Sequence, residues 1–182
     1  MKLRLVACAF CALLCLTPVV RAQGPGQNWV QVIRQRIPLY GHRNWIVIAD
    51  SAYPAQSGDG IETIVSNAGQ MQVLKEVLAD VQASKHVRVI PYTDRELKFL
   101  GDEEAPGVGN YRTQLFTLLP DAETNALLHE KIIERLDNVG KEFRVLIIKT
   151  NMTIPYTSVF LELNCAYWSD EAEQALRTRM AR

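Results

Sequence analysis

Short, continuous apolar runs recur along the chain and predict five β-strands. The first run, Trp45–Ala49, is rich in branched side chains, which is typical of a strand that is covered on both faces. A turn signal at Ser57–Gly60 separates it from the next run. The predicted strands are Trp45–Ala49, Ile61–Val65, His86–Pro91, Phe143–Ile148 and Ser158–Leu163.

Apolar residues at helical spacing predict three helices around these strands, and a fourth, polar helix is predicted to close the chain. The segment Asp121–Asn138 is predicted as one continuous helix, because Pro120 precedes it and Gly140 follows it. The predicted helices are Trp29–Ile37, Gln70–Val81, Asp121–Asn138 and Asp170–Met180. Gly101–Gly109 is a predicted loop, and Tyr111–Leu119 fits either a strand or a helix.

The order of these elements predicts an α/β fold. Strands alternate with helices, but some strands follow one another without a helix, so we expect a single layered domain with a mixed β-sheet flanked by helices. The sequence contains no GxGxxG, Walker, HExxH or GxSxG motif, so the common nucleotide, metalloprotease and hydrolase signatures are absent from it.

Residues 1–22 have the pattern of a secretory signal peptide. Lys2 and Arg4 precede an apolar run from Leu5 to Val20, and Val20-Arg21-Ala22 is a small-x-small cleavage pattern. A short transmembrane anchor is the alternative interpretation. We therefore expect a mature domain of residues 23–182 that is exported, to the periplasm or the medium, and has no membrane span.

The charge, cysteine and histidine content argues against several classes of protein and site. Without residues 1–22 the chain has 17 basic and 20 acidic residues, a net charge of −3, which argues against a nucleic-acid surface. Cys165 is then the one remaining cysteine, and we expect a buried free thiol and no intrachain disulfide. His42, His86 and His129 are scattered, without the spacing of a metal site.

The stretch LYGHRNWIVIADSAYP, Leu39–Pro54, places an ionisable residue at each end of the first predicted strand. Asp50 follows the carboxyl end, where open α/β sheets bind ligands, and fits either an acceptor for sugar hydroxyls or a cap of its own loop. His42 precedes the amino end and fits either a general acid–base group or a solvated turn residue. The strand keeps the two side chains roughly 16 Å apart. Both can therefore serve one monosaccharide only in a site shared between subunits, which predicts a homo-oligomer.

A second candidate segment is IIKTNMTIPYTS, Ile147–Ser158. Tyr156 lies in the loop between two predicted strands, where its ring can stack on a sugar or pack within the loop. Lys149 ends the preceding strand and is either a cationic donor in a cleft or a solvated strand terminus.

These two segments resemble the ribose pyranase and fucose mutarotase family, RbsD/FucU. The first segment matches a Gly-His, apolar strand, Asp and Pro-containing loop through Gly41, His42, Trp45–Ala49, Asp50 and Pro54. The segment Met71–Leu74 looks like the helix after the family's second strand. VLIIKTNMTIPYTS is similar to the family's late strand, its turn and its Tyr-x-Asn signature.

The resemblance implies an RbsD-like fold and a cofactor-free enzyme that interconverts ring or anomeric forms of a free monosaccharide. It also implies ring-shaped oligomers with sites between subunits. By position, His42 matches the general acid and Asp50 matches a sugar ligand. Tyr156, Thr157 and Ser158 match the Tyr-x-Asn strip that binds the sugar, and Lys149 is a further candidate for substrate binding.

Several positions depart from the family pattern. Asn44 replaces an Asp, and its amide cannot raise the pKa of an imidazole as a carboxylate does. Ser158 replaces the signature Asn, and residues 98–119 have no clear counterpart, so the family's other ligand in that half is not placed. His129 is a candidate for that ligand, but it is expected to be solvated on the polar side of its helix. These departures favour an alternative, a non-catalytic sugar-binding or scaffold protein with the same fold. A third hypothesis is different chemistry in the same cleft.

Overall fold

Five strands form one mixed sheet in the computed structural model, which describes residues 28–181. The strands are β1 (Trp45–Ala49), β2 (Ile61–Val65), β3 (Val87–Thr93), β4 (Val145–Lys149) and β5 (Val159–Cys165). Their spatial order is β2-β4-β1-β5-β3. Strands β2, β4 and β1 run parallel, and β5 is antiparallel to both of its neighbours, β1 and β3. The predicted α/β fold with a mixed sheet is confirmed, and the predicted signal peptide lies outside the described residues.

Six α-helices flank this sheet. They are α1 (Trp29–Arg36), α2 (Gln70–Ser84), α3 (Val108–Leu118), α4 (Asp121–Thr124), α5 (His129–Val139) and α6 (Asp170–Met180). Short 3-10 turns span Ile37–Leu39 and Arg95–Lys98. Between residues 28 and 181, none of the helices is both long and apolar enough to cross a membrane.

The core lies on both faces of the sheet, and the alternation of side chains along β1 shows how. Ile46 and Ile48 pack on one face with buried residues of α1, α2 and α3. Trp45, Val47 and Ala49 pack on the other face against Ile132 and Leu136 of α5. All five β1 residues are buried, so the continuous apolar run reflects a central strand in a three-layer arrangement.

The predicted continuous helix Asp121–Asn138 is wrong, because the chain is extended between α4 and α5. There the backbone N–H of Leu127 donates to the carbonyl of Thr93, and the N–H of Arg95 donates to the carbonyl of Leu127. These tertiary bonds to the end of β3 replace bonds that a continuous helix would make. As a result, His129 begins α5 beside the end of β3.

Strand β3 continues past Pro91, where the sequence predicted its end. It is an edge strand, and an edge position tolerates proline because the missing N–H can face away from the sheet. The strand therefore ends at Thr93, and Asp94 follows it as Asp50 follows β1. The undecided segment Tyr111–Leu119 is helical and belongs to α3.

Candidate functional site

A cavity of about 450 Å³ opens at the edge of the sheet where β1 and β3 end and β5 begins. This volume is typical of small-molecule sites. The residues with chemical potential in its lining are Asp50, Tyr53, Asp94, His129 and Tyr156. The cavity therefore lies at the carboxyl edge of the sheet, where open α/β sheets bind ligands, and Asp50 is part of its lining.

Asp50 is fixed in this cavity by two neighbours. The hydroxyl of Ser158 donates to Oδ2 at 2.9 Å and accepts the Asp50 backbone N–H at 3.2 Å. Oδ1 accepts the backbone N–H of Ala52 at 2.9 Å. Asp50 thus caps its own loop and also lines the cavity, and its role as an acceptor for sugar hydroxyls stays a prediction. Each carboxylate oxygen has a second lone pair that a sugar hydroxyl can use.

The loop that carries Tyr156 passes over the end of β1. The backbone N–H of Ser51 donates to the carbonyl of Met152 at 2.8 Å, which ties this loop to the residues after β1. Tyr156 adopts a left-handed backbone conformation with φ of 57°, which is uncommon for a tyrosine. Its side chain lines the cavity and is 36% exposed.

A buried hydrogen-bond network holds this unusual loop from below. The Gln70 amide donates to the carbonyls of Ile48 and Thr157, at 3.0 and 2.8 Å, and accepts the Thr150 hydroxyl. The Tyr111 hydroxyl donates to the same Thr157 carbonyl at 2.6 Å. Thr157 is fully buried, so the structure places it beneath the cavity as a support, whereas Ser158 bonds directly to a lining residue.

Asp94 and His129 form the second ionisable group of the cavity. Oδ1 of Asp94 lies 3.1 Å from Nδ1 of His129. The Asp94 side chain is 1% exposed and the His129 side chain is 40% exposed. His129 also contacts Tyr156 edge to face, with ring centroids 5.6 Å apart. The expected solvated histidine is therefore half-buried and bonded to a carboxyl group.

Burial and negative charge set the electrostatics of this region. Burial raises the pKa of Asp94 to about 6, and the positive charge of protonated His129 opposes that rise. Burial also raises the pKa of Tyr53 above its ordinary value, with further contributions from the charges of Asp94, Asp137 and Asp50. The Tyr53 phenol consequently stays protonated and can donate a hydrogen bond.

His42 lies at the opposite edge of the sheet, in the exposed turn before β1. Asn44 closes this turn by accepting the Gly41 backbone N–H at 2.8 Å and donating to the Arg144 carbonyl at 3.4 Å. Its amide therefore serves the backbone of the turn. Within one chain, His42 and Asp50 do not share a cavity, as the length of β1 requires.

Lys149 ends β4 and is half-buried, and it is not part of the cavity lining.

Cys165 is a half-buried free thiol at the end of β5, more exposed than the sequence predicted. Within residues 28–181, no group of three or more His, Cys, Asp or Glu side chains is arranged to hold a metal ion.

Sequence analysis missed Asp94 and Tyr53, and for His129 it preferred a solvated role over the ligand role that it also considered. A signal for Asp94 was present, because an acidic residue directly after a strand is the same feature that identified Asp50. Because the predicted strand ended at Pro91 and not at Thr93, Asp94 did not directly follow it in the prediction. The position of His129 depends on the break between α4 and α5, and Asn125, a turn-forming residue type at the end of α4, was the available signal for that break.

Comparison with known structures identifies the fold. RbsD of Bacillus subtilis, solved in complex with D-ribose, superimposes with a TM-score of 0.51 at 21% identity, over 73% of this chain and 91% of that one. FucU of Bifidobacterium longum superimposes with a TM-score of 0.52 at 13% identity, over 75% of this chain and 96% of that one. No family model and no curated protein matches the sequence. The protein has an RbsD/FucU-like fold.

Proposed function

We propose that this protein is a cofactor-free mutarotase or pyranase that interconverts ring or anomeric forms of a free monosaccharide. The observation that supports this most is the cavity, where an oriented carboxylate, an exposed tyrosine and a hydrogen-bonded carboxyl–imidazole pair meet at the carboxyl edge of the sheet in an RbsD/FucU-like fold. Export of the protein, if residues 1–22 direct it, is part of the same proposal and places the sugar outside the cytoplasm.

The proposed chemistry requires few groups. Asp50, held by Ser158, accepts hydrogen bonds from sugar hydroxyls, and the Tyr156 ring packs on the sugar face. Ring opening needs a proton delivered to the ring oxygen and another removed from the anomeric hydroxyl, and reclosure reverses both transfers. His42 supplies the acid in this proposal. Because it lies at the far edge of its own chain, a second copy must bring it to the cavity.

Saturation-transfer NMR on a panel of free sugars that includes ribose and fucose tests this function. We expect exchange between anomer or ring-form signals, above the buffer rate, when the protein is added. An absence of exchange with every sugar would refute the proposed activity. Glu130→Gln is a suitable control variant, because Glu130 is exposed and lies outside the cavity lining.

Mixing two variants tests the shared site. His42→Ala and Asp50→Asn should each lose exchange when pure. After co-refolding in equal amounts, about one quarter of the sites would combine His42 from one chain with Asp50 from the other, and activity should return to about that fraction of wild type. If the mixture stays inactive while both variants are folded, His42 does not act from a second copy.

A second candidate function is sugar binding without catalysis. It is favoured by the exposure of His42 and by the use of the Asn44 amide within its own turn, where it accepts the Gly41 N–H. Calorimetric binding of a sugar that shows no exchange in the NMR experiment would establish this function instead.

A further inference from the structure

Carboxyl groups dominate the charge of the cavity at the carboxyl edge of the sheet. Asp50 and Asp94 belong to its lining, and within residues 28–181 that lining contains no lysine or arginine. His129 is the one side chain of the described lining that can become positively charged. A ligand in this cavity therefore meets more negative than positive charge.

Two further carboxylates add to the negative potential around the cavity. Glu96 accepts the first backbone N–H of α5, at 3.2 and 3.1 Å from its two oxygens. Burial is the main cause of the raised pKa of Asp94, and the negative charges of Glu96 and Asp50 add to it. Burial is likewise the main cause of the raised pKa of the Tyr53 phenol, and Asp137 adds to it together with Asp94 and Asp50. Because these carboxylates act on the same region, the cavity disfavours an anionic ligand and favours a cationic one.

One carboxylate oxygen of the lining lacks a hydrogen-bond partner. Oδ1 of Asp94 lies 3.1 Å from Nδ1 of His129, whereas Oδ2 is buried and has no partner among residues 28–181. A buried charged oxygen without a partner is costly, so a ligand donor that reaches Oδ2 removes a penalty that no water-exposed acceptor carries. The side chain of Asp94 is 1% exposed, so this donor must be a small group that enters from the cavity.

We propose that the cavity binds an amino sugar, a monosaccharide in which an ammonium group replaces one hydroxyl, more tightly than the neutral parent sugar. This inference rests on the proposed function and specifies the substrate class of the same site. The ammonium group donates to Oδ2 of Asp94, and the remaining hydroxyls donate to Asp50. The ring of Tyr156, which is 36% exposed, offers an aromatic surface that attracts a cation.

The second copy in the proposed shared site does not reverse this balance of charge. It contributes the imidazole of His42, a single group against the carboxylates of the cavity. The guanidinium of the neighbouring Arg43 lies over the Phe143 ring of its own chain, 5.7 Å from the ring centroid. The preference for a cationic sugar is therefore expected in the assembled site as well.

Isothermal titration calorimetry at pH 7 tests this preference with glucosamine, galactosamine and mannosamine, each compared with its parent sugar and its N-acetyl derivative. Asp94, whose pKa is about 6, is then mostly ionised, and an amine with an ordinary pKa of about 8 is mostly protonated. At least one amino sugar should bind about tenfold more tightly than its parent, because a hydrogen bond between charged groups is roughly twice as strong as a neutral one. The neutral N-acetyl derivative should lose this gain.

Two results would overturn the inference. One is that every amino sugar binds no more tightly than its parent sugar. The other is that the N-acetyl derivatives bind as tightly as the amino sugars, because the positive charge would then not be what the cavity recognises.

Saturation-transfer NMR on the same sugars separates this inference from the proposed function. A wild type that exchanges the parent sugars but shows no tighter binding of any amino sugar would overturn the inference and leave the proposed function standing. A wild type that exchanges none of the sugars, but binds an amino sugar preferentially, would overturn the mutarotase activity and retain the preference in a sugar-binding protein.

Matched aspartate substitutions test whether Asp94 carries the preference. Asp94→Asn should reduce the affinity ratio of amino sugar to parent sugar from about tenfold to about twofold or less, because the amide is neutral. Asp59→Asn makes the same change in an exposed turn before β2, at the opposite edge of the sheet, and should keep the wild-type ratio. A ratio of about tenfold in Asp94→Asn would overturn the assignment to Asp94.

Uronic acids provide a test that needs no variant. Glucuronate and galacturonate should bind about tenfold more weakly than glucose and galactose, because their carboxylates enter a negatively charged cavity. Equal affinities for the uronic acids and the parent sugars would overturn the charge argument on which the inference depends.

Discussion

Replacing Asp94 by Asn should make the fold more resistant to a rise in pH, because it removes a buried ionisable carboxyl group. The side chain of Asp94 is 1% exposed, and one of its oxygens has no partner within residues 28–181. Burial raises its pKa from 3.8 to about 6. A group whose pKa is higher in the folded state contributes stability that is fully present below its unfolded pKa and is lost as the pH rises through its folded pKa.

The expected magnitude follows from the size of this change. A difference of about two pH units corresponds to about 3 kcal/mol, at about 1.4 kcal/mol for each unit. Asn stays neutral throughout. The unfolded carboxyl is already about half ionised at pH 4, so the free energy of unfolding of Asp94→Asn, minus that of the wild type, should become about 2 kcal/mol more positive between pH 4 and pH 7. Subtraction cancels the contributions of shared groups that do not contact residue 94.

Denaturant unfolding, monitored by tryptophan fluorescence at four pH values across this range, gives the difference in free energy of unfolding between Asp94→Asn and the wild type. His129 lies against Asp94, and its positive charge lowers the Asp94 pKa, so the same comparison in a His129→Gln background should give a larger pH-dependent difference. Glu130→Gln, which changes an exposed carboxyl group, should give a nearly constant difference. A pH-independent difference for Asp94→Asn would refute the reasoning, because it would mean that burial does not raise the pKa of this group.

Three further substitutions test the support of the cavity. Gln70→Ala should lower the free energy of unfolding by about 3 kcal/mol, because the carbonyls of Ile48 and Thr157 and the Thr150 hydroxyl lose their buried hydrogen bonds. An unchanged denaturation midpoint would contradict the supporting role of this network. Ser158→Ala should lower the free energy of unfolding by about 1–2 kcal/mol and weaken sugar binding in calorimetry, since Asp50 loses the hydroxyl that orients it. An unchanged sugar affinity would show that this orientation is unimportant. Tyr156→Gly should leave stability unchanged or raise it by about 1 kcal/mol, since glycine suits the left-handed backbone, while sugar affinity falls. A clear loss of stability would instead assign the Tyr156 ring a structural role.

The sequence predicted the centre of this fold better than its edge. Strand β1 has the predicted bounds, because a strand buried on both faces is apolar at every position. The break before His129 was not predictable in the same way, because it is imposed by backbone bonds between Leu127 and the end of β3. The residues of the candidate site also differ in how well the sequence predicts them. Asp50 and Tyr156 follow from local pattern, whereas the pairing of Asp94 with His129 requires two segments that only the tertiary structure brings together.

The position of β1 between β4 and β5 also has a consequence for how the chain acquires its structure. Residues of β1 pair with residues about one hundred or more positions later in the sequence, on both sides of the strand. Contacts of such high sequence separation form slowly, because a long loop must close before they stabilise the chain. During synthesis, the central strand has neither neighbour until β4 and β5 have emerged from the ribosome. The core, and the cavity above it, can therefore assemble only when most of the chain has been made.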